Sequence, residues 1–280
     1  MRNLISAEWT KLLPHKGTWL LVWIYPILFT VILTITIFVE PRNAKDVVTA
    51  TSWIDDTALV WHVPTVSLGR YFIAAYFALV FAGEYGWNTW KLVVPHAARW
   101  KLAGAKYGVA LGLLYLAWIA AALISLVLQL VRTAVAGDAI PQGVTPAAML
   151  DTHFQLLVLG IAPLLITAAY AAAAAVLTRS TLAAVIISLV LVTMDELFGR
   201  IVGWLSSFGM EWPAVPYRVL PGYHLENLSS WLQEGVGYQL KLATGTVIAY
   251  SQTVSLLVLA AWIAGLAALT LFVFRRQDIN

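Results

Sequence analysis

Two carboxylates, Asp195 and Glu196, stand side by side near the end of an apolar run that begins at Leu182. A helix rising 1.5 Å per residue carries the chain only about 18 Å over that run. The hydrocarbon layer of a bilayer is about 30 Å thick, so the two acids are expected below the far surface. Ionisable groups at such depth are costly, and they tend to mark a functional position. Two kinds of chemistry are open to them. As acids they could move a proton or sit at the outer mouth of a route across the membrane. As structural groups, Glu196 and Arg200 are four residues apart and can pair on one helix face. Arg70, about two turns into another apolar run, can snorkel outward or meet the acidic pair.

The elements that must position these residues follow from composition. The chain has 280 residues, of which 61% are hydrophobic and 11% charged. Its mean hydropathy is +0.81. Soluble domains carry about 25% charged residues, so a soluble α/β protein is excluded. A membrane helix needs about 20 apolar residues. Six segments meet or approach this: Thr18–Val39, Val63–Gly83, Tyr107–Val131, Phe154–Leu177, the run from Leu182, and Val247–Phe274. Backbone groups in lipid must bond within their own segment, so each reads as a helix. The expected fold is an all-α polytopic membrane protein with six transmembrane helices, forming one domain over residues 1–280.

Basic residues near the spans set the orientation. With the N-terminus inside, the cytoplasmic pieces are the start, residues 84–106, the turn at 178–181 and the tail. They hold ten basic residues against three acids, while the remaining pieces hold seven against eleven. Both termini are therefore expected in the cytoplasm. The same bias accounts for the sequence pI of about 9.1 without nucleic acid as a partner. Residues 1–17 put Leu4, Ile5, Trp9, Leu12 and Leu13 on one helix side, with Arg2, Asn3, Ser6, Thr10 and Lys11 on the other. That pattern suits a helix lying on the inner leaflet, broken by Pro14 and Gly17. It is not a cleavable signal, and it is expected to stay on the chain. Residues 197–246, too apolar for a free loop, are expected to form short helices or re-entrant pieces at the outer surface. Asn227-Leu228-Ser229 in that stretch matches a glycosylation acceptor.

The stretch AGEYGWNTWKLVVPHAARWKLAGAK, Ala82 to Lys106, interrupts the apolar pattern. Trp87, Trp90 and Trp100 suit the headgroup layer, where an indole meets both lipid and water. Lys91, Arg99, Lys101 and Lys106 suit the cytoplasm and anionic lipid. Pro95 divides the stretch, which reads as two short helices with a bend. A basic inner loop that merely sets topology has the same composition. The order of residues is more particular. EYGWNT, then WKLVV, PHAAR and WKLAGAK, resembles the loop of the ATP-binding cassette type-2 permeases: Glu-(Tyr)-x-x-Gly-Thr, an apolar run, Pro-x-x-Arg, then Gly-x-Lys. Asn88 stands where glycine is usual. AEWTKLL resembles that family's opening Glu-x-x-Lys-Leu, and FRRQDI its closing Phe-x-Arg-Arg-Asp-Ile.

The resemblance implies a transport role. In such permeases the loop after the second span is a coupling helix that docks on a separate ATPase, which binds ATP and Mg. Carried over residue by residue, Glu84, Tyr85, Thr89, Pro95, Arg99 and Lys106 match the motif. Glu84 would set the junction of span and coupling helix, and Arg99 would contact ATPase or headgroups. Two permeases, identical or homologous, and two ATPases would form the working complex in the plasma membrane. No G-x-x-x-x-G-K-[ST] loop occurs in the chain, so ATP hydrolysis by that chemistry needs a partner. The few charges in the spans suit a hydrophobic or amphipathic cargo, such as a peptide antibiotic or a drug.

Other features stay open between bland and sharp readings. Gly104, Gly108 and Gly112 recur every fourth residue, which permits close helix approach within the subunit or across a dimer. Thr30 and Thr34, near Pro26, could line a path or bond back to their own helix. His15, His62, His96, His153 and His224 are scattered, without metal-ligand spacing, and the absence of cysteine removes thiolate sites. No catalytic residue, metal or cofactor is expected on this chain. The alternatives to an ATP-driven exporter are an intramembrane enzyme using Asp195 or Glu196, and an ion-coupled secondary transporter or channel.

Overall fold

Apolar runs of this length become helices because no other open backbone arrangement satisfies its own polar groups in hydrocarbon. The computed structural model, which describes residues 1–39, 48–86, 90 and 97–277, is built almost wholly from them. In chain order they are α1 (Arg2–Leu12), α2 (Lys16–Leu21), α3 (Ile24–Val39) and α4 (Ala50–Ala58). A 3-10 turn at Leu59–Thr65 leads into α5 (Ser67–Gly86). Then follow α6 (Arg99–Val135), α7 (Pro146–Thr178), α8 (Thr181–Ser206), α9 (Ala214–Tyr217) and α10 (Pro221–Glu234). A two-stranded antiparallel hairpin, β1 (Gln239–Lys241) and β2 (Val247–Ala249), precedes α11 (Gln252–Arg276).

Among the described residues five helical stretches are long and apolar enough to cross a membrane: Lys16–Phe38, α6, α7, α8 and α11. A sixth arises if Ala50–Thr65 and Ser67–Gly86 make one bent span. The chain is an all-α, multi-pass membrane protein. Several boundaries differ from the sequence pattern, for local reasons. Ahead of α5, Thr49 and Ser52 form a reciprocal capping box that starts α4. The segment from Arg99 is no separate short helix; it is the first turns of α6, which has nothing to break it before Val135. Val247 belongs to β2, so the last span starts at Gln252, where the Ser251 hydroxyl caps the helix by accepting from the Val254 amide. Residues 197–246 contain short helices, as the composition suggests, and also the hairpin, whose register pairs Leu240 with Ile248.

Two units partition the contacts: Met1–Val63 with Gly104–Gly160, and Pro64–Ala103 with Ile161–Asn280. In the first, α1 ends at Leu12 and the His15 side chain accepts from the Gly17 amide to start α2. Tyr25 meets Trp118 edge-on, with ring centroids 6.0 Å apart. Trp53, fully buried, donates its indole N–H to the Thr133 hydroxyl at 3.0 Å. Thr30 bonds back to the Pro26 carbonyl at 2.6 Å, which uses its hydroxyl inside its own helix. In the second unit one cluster gathers Ile166, Tyr170, Val192, Leu228 and Leu259. Another gathers Val202, Ala214, Tyr217, Tyr223, Leu242 and Ile248 beneath the hairpin. Lipid tails are as apolar as leucine, so polar contacts and close packing, more than the hydrophobic effect, decide how such helices associate.

Candidate functional site

Three polar clusters in the second unit and one in the first collect most of the residues singled out above. The most deeply set is organised around Arg70. Its guanidinium donates from Nη2 to Asp195 Oδ2 at 2.7 Å and from Nε to the buried Thr167 hydroxyl at 3.0 Å. Nη1 lies 3.8 Å from Glu196 Oε1. Tyr170 donates its hydroxyl to the other Asp195 oxygen at 3.1 Å, and Ser67 donates to Glu196 Oε2. Only 3% of the Arg70 side chain and 5% of the Asp195 side chain are exposed, against 26% for Glu196. The planar fork of arginine suits this work, since its donors reach two acceptors at fixed angles while its charge faces Glu196. Arg200 is exposed and takes no part: the acids pair with Arg70, not along their own helix. The opening of α10 closes the cluster from one side. A Cβ on Gly222 would lie 2.1 Å from the Asp195 carbonyl oxygen, so glycine alone permits that approach.

At the other end of α5 the motif residues Tyr85 and Arg99 meet the end of the last helix. Arg99 sits in the first turn of α6, where a cation opposes the helix dipole. It reaches instead to the orphan carbonyls at the end of α11, donating to Gln277 O at 2.9 Å and to Phe274 O. Tyr85 donates to Gln277 Oε1 at 2.6 Å, and Gln277 Nε2 donates to the Val176 carbonyl at 2.6 Å. Trp90 packs on Phe274 with centroids 4.4 Å apart. Gln277, which the sequence reading did not single out, thus joins α5, α6, α7 and α11. Its signal was the FRRQDI stretch, given above as the resemblance to a closing motif, in which Gln277 stands at an unmatched position. Glu84 is buried at 3% exposure. Thr89 and Pro95, the other two motif positions of this loop, lie outside the described residues.

In the first unit the opening motif meets the end of the loop motif. Lys106, 1% exposed, donates to both oxygens of Glu8 at 3.0 and 3.1 Å. Two stretches nearly a hundred residues apart are therefore tied through one bidentate ion pair. Gly108 and Gly112 have nothing within 4 Å of an added Cβ, and Gly104 meets only the Met1 methyl at 3.5 Å. This side of α6 is open. His153 bonds through both ring nitrogens, Nδ1 accepting from Trp61 at 2.9 Å and Nε2 meeting the Thr57 hydroxyl at 3.1 Å. It serves as a packing residue.

The third cluster of the second unit secures the segment between α8 and α11. Asn227, fully buried, accepts from the Tyr238 amide at 2.8 Å. It donates to the Tyr250 carbonyl at 3.0 Å and to the Ser255 hydroxyl at 2.7 Å. A side chain so used cannot carry a glycan in the folded protein, so the acceptor match is a coincidence of sequence. Ser255 in turn faces His224 Nδ1 at 2.9 Å, and His224 Nε2 faces the Arg218 carbonyl at 2.9 Å. The carbonyl can only accept, which assigns the proton to Nε2 and leaves Nδ1 to accept from Ser255. Burial holds this imidazole below its ordinary value of 6.5, the bond to the Arg218 carbonyl working in the opposite sense. Burial likewise pushes the Tyr217 phenol well above its ordinary value. The folded state thus binds fewer protons at His224 than the unfolded state once the pH drops below about 6.5, and stability must fall with acidification. We expect hydrogen exchange at the amides of α10 and the hairpin to speed up between pH 7 and pH 5 relative to α7, and to do so less in His224→Gln.

No curated protein and no solved structure matches the chain significantly. A family model described as ABC-2 family transporter protein matches residues 4–195. That match covers α1 through Asp195, including the Glu8–Lys106 pair, the loop motif and the Arg70–Asp195 pair, and by it the chain belongs to the ABC-2 family of transporter proteins.

Proposed function

We propose that the chain is the permease subunit of an ATP-driven exporter that moves a hydrophobic or amphipathic cargo out of the cell. Membership of the ABC-2 family carries this reading. In it, residues 84–106 form a cytoplasmic coupling loop that docks on a separate ATPase, and that partner holds ATP and Mg. Residues 1–17 lie on the inner leaflet of the plasma membrane, both termini are cytoplasmic, and residues 197–246 form an outer segment. The sign of the flanking charges supports this orientation. The whole of 1–280 acts as one permease. The open glycine side of α6, at Gly104, Gly108 and Gly112, faces the second permease, because small residues let helix backbones approach. Arg70, Asp195, Glu196 and Arg200 lie toward the outer mouth of the route.

The test is co-purification with a soluble P-loop ATPase, followed by ATP turnover in the presence of candidate peptides and drugs. Cargo-stimulated turnover by the pair is the expected result. Transport by the isolated chain without ATP would favour the ion-coupled alternative, and chemical turnover by the isolated chain the intramembrane enzyme. Arg99→Glu places a negative charge against the negative end of α11 and removes its cap. We expect it to cut ATPase capture or cargo-stimulated turnover by about tenfold, a cost of about 1.4 kcal/mol. Capture and turnover equal to wild type would remove Arg99 from the coupling path.

A further inference from the structure

Beside the Arg70 cluster the second unit holds a cavity of about 80 Å³. Tyr170, Phe198, Tyr217 and Trp262 contribute aromatic rings to its wall, Met194 a thioether, and Asp195 the one carboxylate. The rings are held in place. Trp262 commits its indole N–H to the Val219 carbonyl at 2.7 Å, and Tyr170 commits its hydroxyl to Asp195. Phe198 and Tyr217 pack with centroids 5.9 Å apart. The charges next to the cavity do not balance. Arg70 is the one cation in the ion pairs of this cluster, and it faces both Asp195 and Glu196. Glu196 Oε1 is buried and has no hydrogen-bond donor among the described residues. A net negative charge in a medium of low dielectric favours a cation nearby. Aromatic faces favour one too, and most of all a quaternary ammonium, whose charge needs no hydrogen-bond acceptor.

We propose that this cavity binds the alkylammonium head of a cationic amphiphile, with Asp195 supplying charge and Trp262, Tyr217, Phe198 and Tyr170 the aromatic wall. As a binding site it stands by itself; as a contact for cargo it rests on the transport reading. An anion is disfavoured by Asp195. A neutral apolar guest would fill the space and leave the charge uncompensated.

The experiment uses choline and its uncharged isostere 3,3-dimethylbutan-1-ol, titrated into the full chain in phosphatidylglycerol nanodiscs, with empty discs as the blank. Choline is expected to bind at least about tenfold more tightly than the alcohol. Trp262→Leu, at a partly buried position, should reduce choline affinity by about fivefold or more and that of the alcohol by less. Asp195→Asn keeps the shape and an acceptor for Arg70, and should remove most of the discrimination between the two probes. Equal affinities for choline and the alcohol, no saturable binding of either, or an unchanged choline affinity in both variants would each overturn the proposal. The measurement contains no ATPase and no ATP, so its failure leaves the permease reading standing. Failure to capture an ATPase would in turn leave a positive binding result intact.

Discussion

Replacing Arg70 with leucine is expected to lower the stability of the chain by about 3–5 kcal/mol, as for other broken buried pairs. The Asp195 side chain is only 5% exposed, and the guanidinium 2.7 Å away is its one charged partner among the described residues. Leucine fills part of the volume and satisfies none of the acceptors. The carboxylate would then keep the Tyr170 hydroxyl as its remaining donor, and the Thr167 hydroxyl would lose its own. The comparison that isolates the charge is the double variant Arg70→Leu/Asp195→Leu. It removes both ions, and replacing a buried pair by apolar groups is often close to neutral. We expect it to recover more than half of the loss, with Glu196 and Ser67 accounting for the rest. Arg70→Lys should fall between, because a point charge cannot reproduce the forked contacts to Thr167 and Asp195. Unfolding in mild detergent, followed by tryptophan fluorescence, measures all three. A loss below about 1 kcal/mol in Arg70→Leu would mean that water screens the pair as it does at a surface.

That pair also shows what a sequence can and cannot disclose. Asp195 and Glu196 stood out as acids within an apolar run, and Arg70 as a cation in an apolar helix. Two pairings stood open, Arg70 with the acidic pair and Glu196 with Arg200, and the structure shows the first. Spacing alone supports only the pairing along one helix, Glu196 with Arg200, because the contact to Arg70 spans more than 120 positions and no sequence distance decides it. Thr167, Tyr170 and Ser67 went unnoticed for the same reason, since a hydroxyl in a membrane helix has no signature until a neighbour faces it. The spans themselves were readable because lipid leaves the backbone one open solution. The hairpin was not, because its strands are three residues each and their pairing depends on Tyr223, Asn227 and Tyr250, which lie outside them. Motif order, in contrast, carried real contact information. The opening Glu8 and the closing Lys106 of two separate motifs form one ion pair, and Arg99 of the loop grips Gln277 of the tail.

Asn227→Ala should release the hairpin, at a cost of about 3–5 kcal/mol. The amide makes three hydrogen bonds, to Tyr238, Tyr250 and Ser255, and each is worth about 0.5–1.5 kcal/mol net. Truncation also leaves partners behind: the Tyr238 amide and the Tyr250 carbonyl hold the two ends of the hairpin against α10. The effect spreads further because Ser255 passes the bond on to His224, and His224 to Arg218. Asn227→Asp is the sharper probe. It preserves the shape and the acceptor for Tyr238, yet turns a donor into a negative oxygen facing the Tyr250 carbonyl. A chain held together by packing alone would tolerate it; one held by the polarity of this relay would not. Lys241 lies in β1, so trypsin reports directly on the opening of the hairpin. If local opening governs cleavage, a loss of this size should raise the rate at Lys241 by about 10²–10³-fold in both variants. Cleavage within tenfold of wild type in both would show that Tyr223 and the apolar cluster beneath the strands hold the segment without Asn227.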